Sequence, residues 1–209
     1  MFFSFDGVDG TGKSTQIRLL AEALRASGRE VVTCRDPGST ALGERLREIL
    51  LHHHGTPIHR RSEMLLYMAS RAQLVEEVIR PALAAGKIVL SDRYLLANVV
   101  YQAHGGGLDA GDVWRVGEVT VAGVVPKLVF LLDMPAAQAA QRIQRQPDRM
   151  EAQGLDYLER VRQGFLTEAR RLAGTVAVID ADRSIEAVHA DVLQRAQAAL
   201  VTKAPSVNS

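Results

Sequence analysis

One stretch near the start of the chain, FDGVDGTGKSTQ at residues 5–16, restricts the possible folds more than any other feature of the sequence. Residues 7–14 match the pattern G-x-x-x-x-G-K-[ST] in full, with an apolar run before them and an amphipathic segment after them. Glycines allow the backbone to close around a phosphate group, so that its amide hydrogens point at the anion from the start of a helix. The stretch therefore predicts a nucleotide-binding phosphate loop that joins a strand to a helix.

The side chains of this loop suit a bound nucleotide. Lys13 supplies a mobile positive charge for the outer phosphates, and Ser14 offers a hydroxyl to Mg²⁺. A glycine-rich turn that merely began a helix would need neither side chain. Such loops occur in switches, motors and kinases alike, and the guanine signature Asn-Lys-x-Asp is absent from the sequence. The residues predicted to bind the nucleotide are Gly7, Val8, Asp9, Gly10, Thr11, Gly12, Lys13, Ser14 and Thr15.

The rest of the chain alternates between apolar runs and amphipathic segments. The runs predict five short strands, buried on both faces, at 1–6, 29–34, 87–92, 127–133 and 175–180. The segments between them predict helices near 13–27, 40–53, 60–85, 94–103, 110–123, 135–145, 155–173 and 184–200. Pro81 predicts a kink or a break near Arg80. This alternation is typical of an α/β fold in which helices flank a parallel, doubly wound sheet.

Composition narrows the class of partner and the cellular compartment. The formal net charge of +1 over 209 residues predicts no nucleic-acid or membrane partner. The single cysteine, Cys34, cannot form an internal disulfide, which fits a reducing compartment. The start MFFSFD lacks the basic residues and the long apolar run of a secretory signal, and no apolar stretch is long enough to span a bilayer. We therefore expect a cytoplasmic protein with one domain over residues 1–201 and a disordered polar tail at 202–209.

A second informative stretch, SDRYLLANVVYQ at 91–102, leaves the third predicted strand. Ligands of doubly wound sheets bind at the carboxyl ends of the strands, so Asp92 is placed to hold Mg²⁺ or its water beside the phosphate loop. Arg93 is a permanent planar cation suited to a second phosphate. Aromatic and amide side chains that could bind a base and a sugar follow at Tyr94, Asn98, Tyr101 and Gln102. The alternatives are a surface ion pair for Asp92 and Arg93 and a core position for Tyr101.

Several segments together resemble one enzyme family. FDGVDGTGKSTQ, RDPGST, LLYMASRAQ, EEVIRPAL, SDRYLLANVVYQ, LLDMP and DRMEAQGLDYLERV occur in the order seen in thymidylate kinases of the bacterial type, over roughly residues 1–195. The phosphate loop alone would be generic, whereas its combination with the Asp-Arg-Tyr segment and LLYMASRAQ is specific. The resemblance implies a P-loop NTPase fold with a small lid segment at about 142–154. It also implies phosphorylation of dTMP to dTDP by ATP with Mg²⁺ as cofactor, and a homodimer.

The same resemblance implies roles for individual residues. Tyr67 would stack on the thymine ring, Arg71 would donate a hydrogen bond to O4 of the base, and Asn98 would face the base. Tyr101 would crowd the sugar 2′ position, and Asp9 would meet the sugar 3′-hydroxyl. The substrate-binding residues are then Asp9, Tyr67, Arg71, Arg93, Asn98, Tyr101 and Gln102, and Ser14 and Asp92 would hold Mg²⁺. Without the resemblance, the sequence favours the alternative, in which Tyr67 belongs to the apolar face of a helix and Arg71 is a solvated charge.

The lid segment supplies the remaining catalytic candidates. Residues 142–149, RIQRQPDR, place arginines around a proline between two predicted helices. In thymidylate kinases an arginine lies either in the phosphate loop or in the lid, and the loop here contains none. We therefore expect Arg145 or Arg149 to act with Lys13, Asp9 and Arg93 in catalysis, while Arg142 could be structural. The alternative for the lid arginines is a solvated basic helix end.

Four positions depart from the usual family pattern. Asp6 and Asp36 stand where glutamate is usual, Ala97 replaces a serine, and Tyr67 replaces a phenylalanine. These differences leave the preference between dTMP and another pyrimidine acceptor such as dUMP open. A third possibility is a regulator that binds nucleotides without transferring phosphate. The apolar segment 110–123, with Val113, Val116, Val119 and Thr120, is a candidate dimer interface.

Overall fold

A parallel sheet of five strands lies at the centre of the protein, which a computed structural model describes over residues 1–51, 57–143 and 153–201. The strands run in the order β2-β3-β1-β4-β5, so the strand that precedes the phosphate loop is central. This confirms the predicted α/β class and all five predicted strands. Their bounds are β1 Phe2–Asp6, β2 Val31–Arg35, β3 Ile88–Asp92, β4 Leu128–Asp133 and β5 Val176–Asp180.

The helices lie where the apolar periodicity predicts them, within a few residues at each end. They are α1 Lys13–Ala26, α2 Ala41–Leu51, α3 Arg60–Leu74, α4 Arg80–Ala84, α5 Leu95–Val99, α6 Ala110–Val121, α7 Ala136–Gln141, α8 Leu155–Arg171 and α9 Ile185–Val201. Instead of a break before Pro81, a π-helical turn at Val75–Ile79 joins α3 to α4. A second π-helical turn, Val100–Gly105, extends α5, and the sequence gave no indication of it. None of the helices in the described ranges is both long and apolar enough to cross a membrane.

The three central strands are buried on both faces, as predicted, because successive strand residues point to opposite sides and helices cover both. The edge strands β2 and β5 contain exposed residues, contrary to the prediction. Phe3 and Phe5 of β1 pack with α1, α8 and α9 in one apolar core. Phe2, on the same strand, and Val89 of β3 pack with α3 and α6 in a second core on the other face. The sheet is therefore held rigidly between two helical layers.

The strand register brings the predicted chemical groups to one edge. Phe5 pairs with Asp92 across β1 and β3, and the amide of Arg93 donates a hydrogen bond to the carbonyl of Phe5 at 2.9 Å. Asp36, directly after β2, donates its amide hydrogen to the carbonyl of Asp92 at 2.9 Å. The residues that follow β1, β2 and β3 thus meet at the carboxyl edge of the sheet, where the phosphate loop also begins.

Candidate active site

The phosphate loop, residues 7–15, closes tightly against the strand and helix beside it. Gly7 and Gly10 have positive φ values of 131° and 87°. A Cβ atom on Gly7 would lie 2.3 Å from the carbonyl oxygen of Leu132, and one on Gly10 would lie 2.0 Å from that of Ala139. Only glycine can therefore occupy these two positions. The loop is pressed onto the end of β4 and onto α7, the helix that precedes the predicted lid segment.

Lys13 points back into this loop. Its Nζ atom donates hydrogen bonds to the carbonyl oxygens of Gly7 and Val8 at 3.1 and 3.0 Å, and it lies 3.3 Å from Oδ1 of Asp9. Burial lowers the pKa of Lys13, Arg93 adds to this effect, and Asp9 opposes it. The ammonium group therefore lies in the concave side of the loop, where an anion would gain most from it.

Asp9 connects the loop to Arg93. The same Oδ1 atom that contacts Lys13 accepts a hydrogen bond from Nη2 of Arg93 at 2.9 Å. Burial alone would raise the pKa of Asp9, but Arg93 and Lys13 together lower it below its ordinary value. Because one oxygen contacts both cations, Nζ of Lys13 and Nη2 of Arg93 must lie close together. Their separation is at most the sum of the 3.3 Å and 2.9 Å distances to Asp9.

Arg93 is held in a strained backbone conformation. Its φ of 68° lies in the left-handed region, which costs a non-glycine residue on the order of 1–3 kcal/mol. Two hydrogen bonds stabilise this turn. One runs from the Arg93 amide to the Phe5 carbonyl, and the other, at 2.7 Å, runs from Ser91 Oγ to the Arg93 carbonyl. The side chain lies over the Tyr101 ring, 4.8 Å from its centroid, and donates to the Tyr101 hydroxyl at 3.1 Å. Within the described residues, its Nη1 atom is buried and has no hydrogen-bond partner.

Ser14 and Asp92 lie together at the mouth of the loop. The Ser14 hydroxyl donates to Oδ2 of Asp92 at 3.0 Å, although the residues are 78 positions apart in the chain. A hydroxyl and a carboxylate oxygen are of the ligand type that Mg²⁺ prefers. Their separation also matches that of neighbouring ligands in an octahedron with metal–oxygen distances of about 2.0–2.1 Å. The sequence placed both residues correctly at this edge.

Asp6 lies beneath Arg93 and Lys13, fully buried at the end of β1. Ser4 Oγ contacts its Oδ2 atom at 3.4 Å, while Oδ1 has no partner among the described residues. Burial raises the pKa of Asp6 from 3.8 to about 7, against the opposing charges of Arg93 and Lys13. The sequence identified this position only as a shortened carboxylate, and its burial is a property of the folded chain.

A cleft with a cavity volume of about 270 Å³ opens beside the phosphate loop, and we call it the side-chain pocket. Every residue that was predicted to bind the substrate lines it, namely Asp9, Tyr67, Arg71, Arg93, Asn98, Tyr101 and Gln102. Arg71 is not the solvated charge of the alternative interpretation, because it is buried and donates from Nε to Oδ2 of Asp36 at 2.6 Å. Its Nη1 atom also donates to Oδ1 of Asn98 at 2.9 Å.

A second cleft lies on the other side of the loop. It is lined by residues 9–16 of the loop and the start of α1, and by the segment after β5. Arg142, at the end of α7, contributes to this lining and contacts Asp182 at 3.6 Å. Sequence reasoning missed Arg183 and Ile185, which also line the cleft, although their position after the last strand of the sheet was a usable signal. The predicted lid residues Arg145 and Arg149 lie outside the described residues.

The sequence comparisons with known proteins all indicate the same family. The family model for thymidylate kinase matches residues 5–192. A thymidylate kinase from Rhodopirellula baltica is 50% identical over 185 residues, covering 88% of this chain and 75% of the relative. One from Kosmotoga olearia is 44% identical over 196 residues, covering 93% of this chain and 94% of the relative. The sequence similarity therefore spans nearly the whole chain.

The fold comparison agrees with the sequence comparison. A crystal structure of thymidylate kinase from Ehrlichia chaffeensis superimposes with a TM-score of 0.77 at 30% sequence identity. The superposition covers 94% of this chain and 98% of that one. The similarity thus includes the sheet and the helices that build both clefts.

Proposed function

The chain belongs to the thymidylate kinase family, and we propose that it transfers phosphate between two sites that share the Asp9 carboxylate as a common wall. As a member of this family it is a nucleoside monophosphate kinase that phosphorylates dTMP to dTDP with ATP. A phosphate oxygen of dTMP attacks the γ-phosphorus of ATP, the bond from that phosphorus to the bridging oxygen breaks, and ADP leaves.

The shared contact of Asp9 carries the proposal. Phosphoryl transfer requires an attacking and a leaving oxygen close together and in line, with positive charge around the moving group. The phosphate loop with Lys13 would hold the ATP phosphates, and Arg93 would hold the dTMP phosphate through its buried, partner-free Nη1 atom. Because both cations contact one oxygen of Asp9, the two phosphates would meet at a single point.

The side-chain pocket would hold the nucleoside of dTMP. Tyr67 would stack on the base, Arg71 would donate to O4, and Asn98 would face the N3 edge. Tyr101 would lie against the sugar, where its bulk leaves no room for a 2′-hydroxyl. Asp9 would accept from the 3′-hydroxyl in addition to its contacts with the two cations. Apart from the N3 edge, which is our own assignment for Asn98, these roles follow from the resemblance, and the lining of the pocket supports them.

The arrangement of Ser14 and Asp92 supports a Mg²⁺ site. Their two oxygens are of the type and separation that this ion accepts, and the neighbouring phosphate loop would bring phosphate oxygens as further ligands. When bound, the ion neutralises charge on the β- and γ-phosphates. Ser14 and Asp92 would position it on the side of the loop that faces Arg93.

The charge that stabilises the transferred group would come from the lid. The phosphate loop contains no arginine, and α7 packs directly on Gly10, so a lid that follows α7 starts beside the ATP site. We expect Arg145→Ala or Arg149→Ala to lower turnover by about 10³-fold while ATP binding is retained. Near-normal turnover in both variants would overturn this assignment.

The acceptor is tested by an assay of ADP release from purified protein with ATP and Mg²⁺, across dTMP, dUMP, UMP, CMP and AMP. We expect dTMP to have the highest kcat/KM. A higher value for dUMP would move the assignment to another deoxypyrimidine. No ADP release with any acceptor, at full ATP binding, would favour a regulator that binds nucleotides.

We extend the proposal to a homodimer in the cytoplasm. Val119 of α6 is 79% exposed and Leu65 of the adjacent helix α3 is 50% exposed, so both offer apolar area to a second copy. Val113, which the sequence suggested for this interface, is instead buried in the core of its own chain. Light scattering of Val119→Asp against the unaltered protein would test the interface. The cytoplasm supplies ATP and keeps the single cysteine reduced.

A further inference from the structure

Helix α3, which contributes Tyr67 and Arg71 to the side-chain pocket, also carries a buried residue, Glu63, that the proposed function leaves without a role. Glu63, Tyr67 and Arg71 are spaced four residues apart, so all three lie on one face of the helix. Glu63 is completely buried, with 0% of its side chain exposed. A buried glutamate is costly to maintain unless its oxygens are engaged. Nη1 of Arg60 lies 3.8 Å from its Oε1 atom.

Glu63 takes part in a continuous relay of hydrogen bonds whose other members line the side-chain pocket. Its Oε1 atom accepts from Nε2 of Gln102 at 2.9 Å. Oε1 of Gln102 accepts from Nδ2 of Asn98 at 2.5 Å, and Oδ1 of Asn98 accepts from Nη1 of Arg71 at 2.9 Å. Arg71 completes the relay through its bond to Asp36. The relay joins α3 to α5 and to the π-helical turn after it.

The two ends of the relay determine its direction. A carboxylate can only accept and a guanidinium can only donate, whereas an amide side chain can present either its oxygen or its nitrogen. With Glu63 at one end, Gln102 must point its nitrogen at the carboxylate and its oxygen at Asn98. Asn98 must then point its nitrogen at Gln102 and its oxygen at Arg71 and the base. Reversal of either amide would place two donors or two acceptors face to face.

We propose that Glu63 is a positioning residue for base selection, because its carboxylate, together with the Arg71 guanidinium at the other end, fixes the direction of the relay and keeps the Asn98 oxygen turned toward the base. This inference rests on the proposed function, in which Arg71 and Asn98 face O4 and N3 of the acceptor base. Thymine and uracil offer a carbonyl oxygen at position 4 and an N–H at position 3, which match a donor from Arg71 and an acceptor from Asn98. Cytosine offers an amino group and a bare nitrogen at the same places, so both contacts are mismatched.

This role differs from that of a residue that only supports the fold. Glu63 does not touch the base, so it acts through Gln102 and Asn98. In the proposed binding mode, no group of the relay contacts position 5 of the pyrimidine ring, where thymine and uracil differ. The loss of Glu63 should therefore weaken discrimination between dTMP and dCMP and leave the ratio between dTMP and dUMP unchanged. A general loss of stability would shift all three acceptors together.

The test compares kcat/KM for dTMP, dCMP and dUMP in the full-length protein and in Glu63→Met and Glu63→Gln. In Glu63→Met no acceptor faces Gln102, so we expect the dTMP to dCMP ratio to fall by about tenfold or more. In Glu63→Gln the amide oxygen can still accept from Gln102, so the fall should be smaller. The ratio of dTMP to dUMP and the KM for ATP should match the unaltered protein in both.

A matched control is available in Glu168, which is also buried and accepts bonds from His104, Trp114 and Arg171 away from the pocket. Glu168→Met should lower thermal stability without altering the dTMP to dCMP ratio. If Glu63→Met does not fold, Glu63→Asp withdraws the carboxylate from Gln102 and should lower the ratio as well. An unchanged ratio in a folded Glu63 variant, with activity on dTMP retained, would overturn this inference alone. Failure of the unaltered protein to use dTMP would overturn the proposed function instead.

Discussion

The phosphate loop and the side-chain pocket lie side by side and are built in opposite ways. The loop is one continuous segment whose shape comes from backbone conformation, and its glycines press onto carbonyl groups of β4 and α7. The pocket is assembled from side chains of four separate segments, which follow β1, β2 and β3 or lie on α3. Several of its buried polar side chains bind one another in the relay that runs from Glu63 to Asp36.

This difference follows from what each region has to recognise. A triphosphate is the same in every nucleotide, and backbone amides with one lysine bind it without regard to the base. A base is distinguished by the order of its donors and acceptors, which requires side chains in fixed orientations. Asp9 and Arg93 lie at the boundary between the two regions.

The largest effect is expected in the phosphate loop. Lys13→Met keeps the length of the side chain but removes the charge that would lie on the transferred phosphate, so we expect kcat to fall by roughly 10³-fold. Binding of dTMP, measured by calorimetry, should stay within about threefold, since Arg93 rather than Lys13 would hold that phosphate. The steady-state assay for ADP release provides kcat.

Arg18→Met is the matched control for this variant. Arg18 lies on the exposed side of α1, where it pairs with Glu22 at 2.9 Å, so its loss changes the net charge equally. Its turnover should equal that of the unaltered protein. If Lys13→Met retained more than a tenth of the normal kcat, the backbone amides alone would account for the contribution of the loop to catalysis. The role proposed for Lys13 would then be wrong.

The difference between a continuous loop and a pocket assembled from separate segments also explains which parts of the site could be predicted from the sequence. The loop and the strands were predicted within one or two residues, because glycine spacing and apolar periodicity are local signals. The burial of Arg71 against Asp36, and the relay to Glu63, depend on segments that are 27 to 39 positions apart. No local pattern encodes such contacts, and the family resemblance supplied the role of Arg71. The π-helical turn that carries Tyr101 and Gln102 was also missed, since it departs from the 3.6-residue period.

A smaller effect is expected beneath the boundary, at Asp6. Its folded-state pKa of about 7 lies above the unfolded value of 3.8, so its contribution to stability is fully present below pH 3.8 and is lost as the pH rises through 7. Over that window the unfolding free energy should fall by up to about 1.4 kcal/mol per pH unit from this group. The side chain of Asp6→Asn cannot ionise, so the unfolding free energy of this variant should lack the decrease. From pH 5 to pH 7 the variant should therefore become more stable relative to the unaltered protein.

Urea unfolding between pH 5 and pH 8, without Mg²⁺, measures this difference. Asp112→Asn, at an exposed position on α6, should follow the pH dependence of the unaltered protein. Parallel curves for Asp6→Asn and the unaltered protein would show that the buried carboxyl does not titrate in this window. The boundary would then be stabilised by Arg93 and Asp9 without a contribution from Asp6.

The smallest effect is expected from the Tyr101 hydroxyl, at the edge of the side-chain pocket. Tyr101→Phe removes the bond from Arg93 but keeps the ring under the guanidinium, so the KM for dTMP should rise about fivefold, as expected for a net loss of about 1 kcal/mol. Tyr101→Ala also removes the bulk beside the sugar. It should improve the use of ribothymidine monophosphate relative to dTMP, whereas Tyr101→Phe should leave that ratio unchanged. Equal ratios in the two variants would assign sugar selection to another group, and the pocket would then select the base without selecting the sugar.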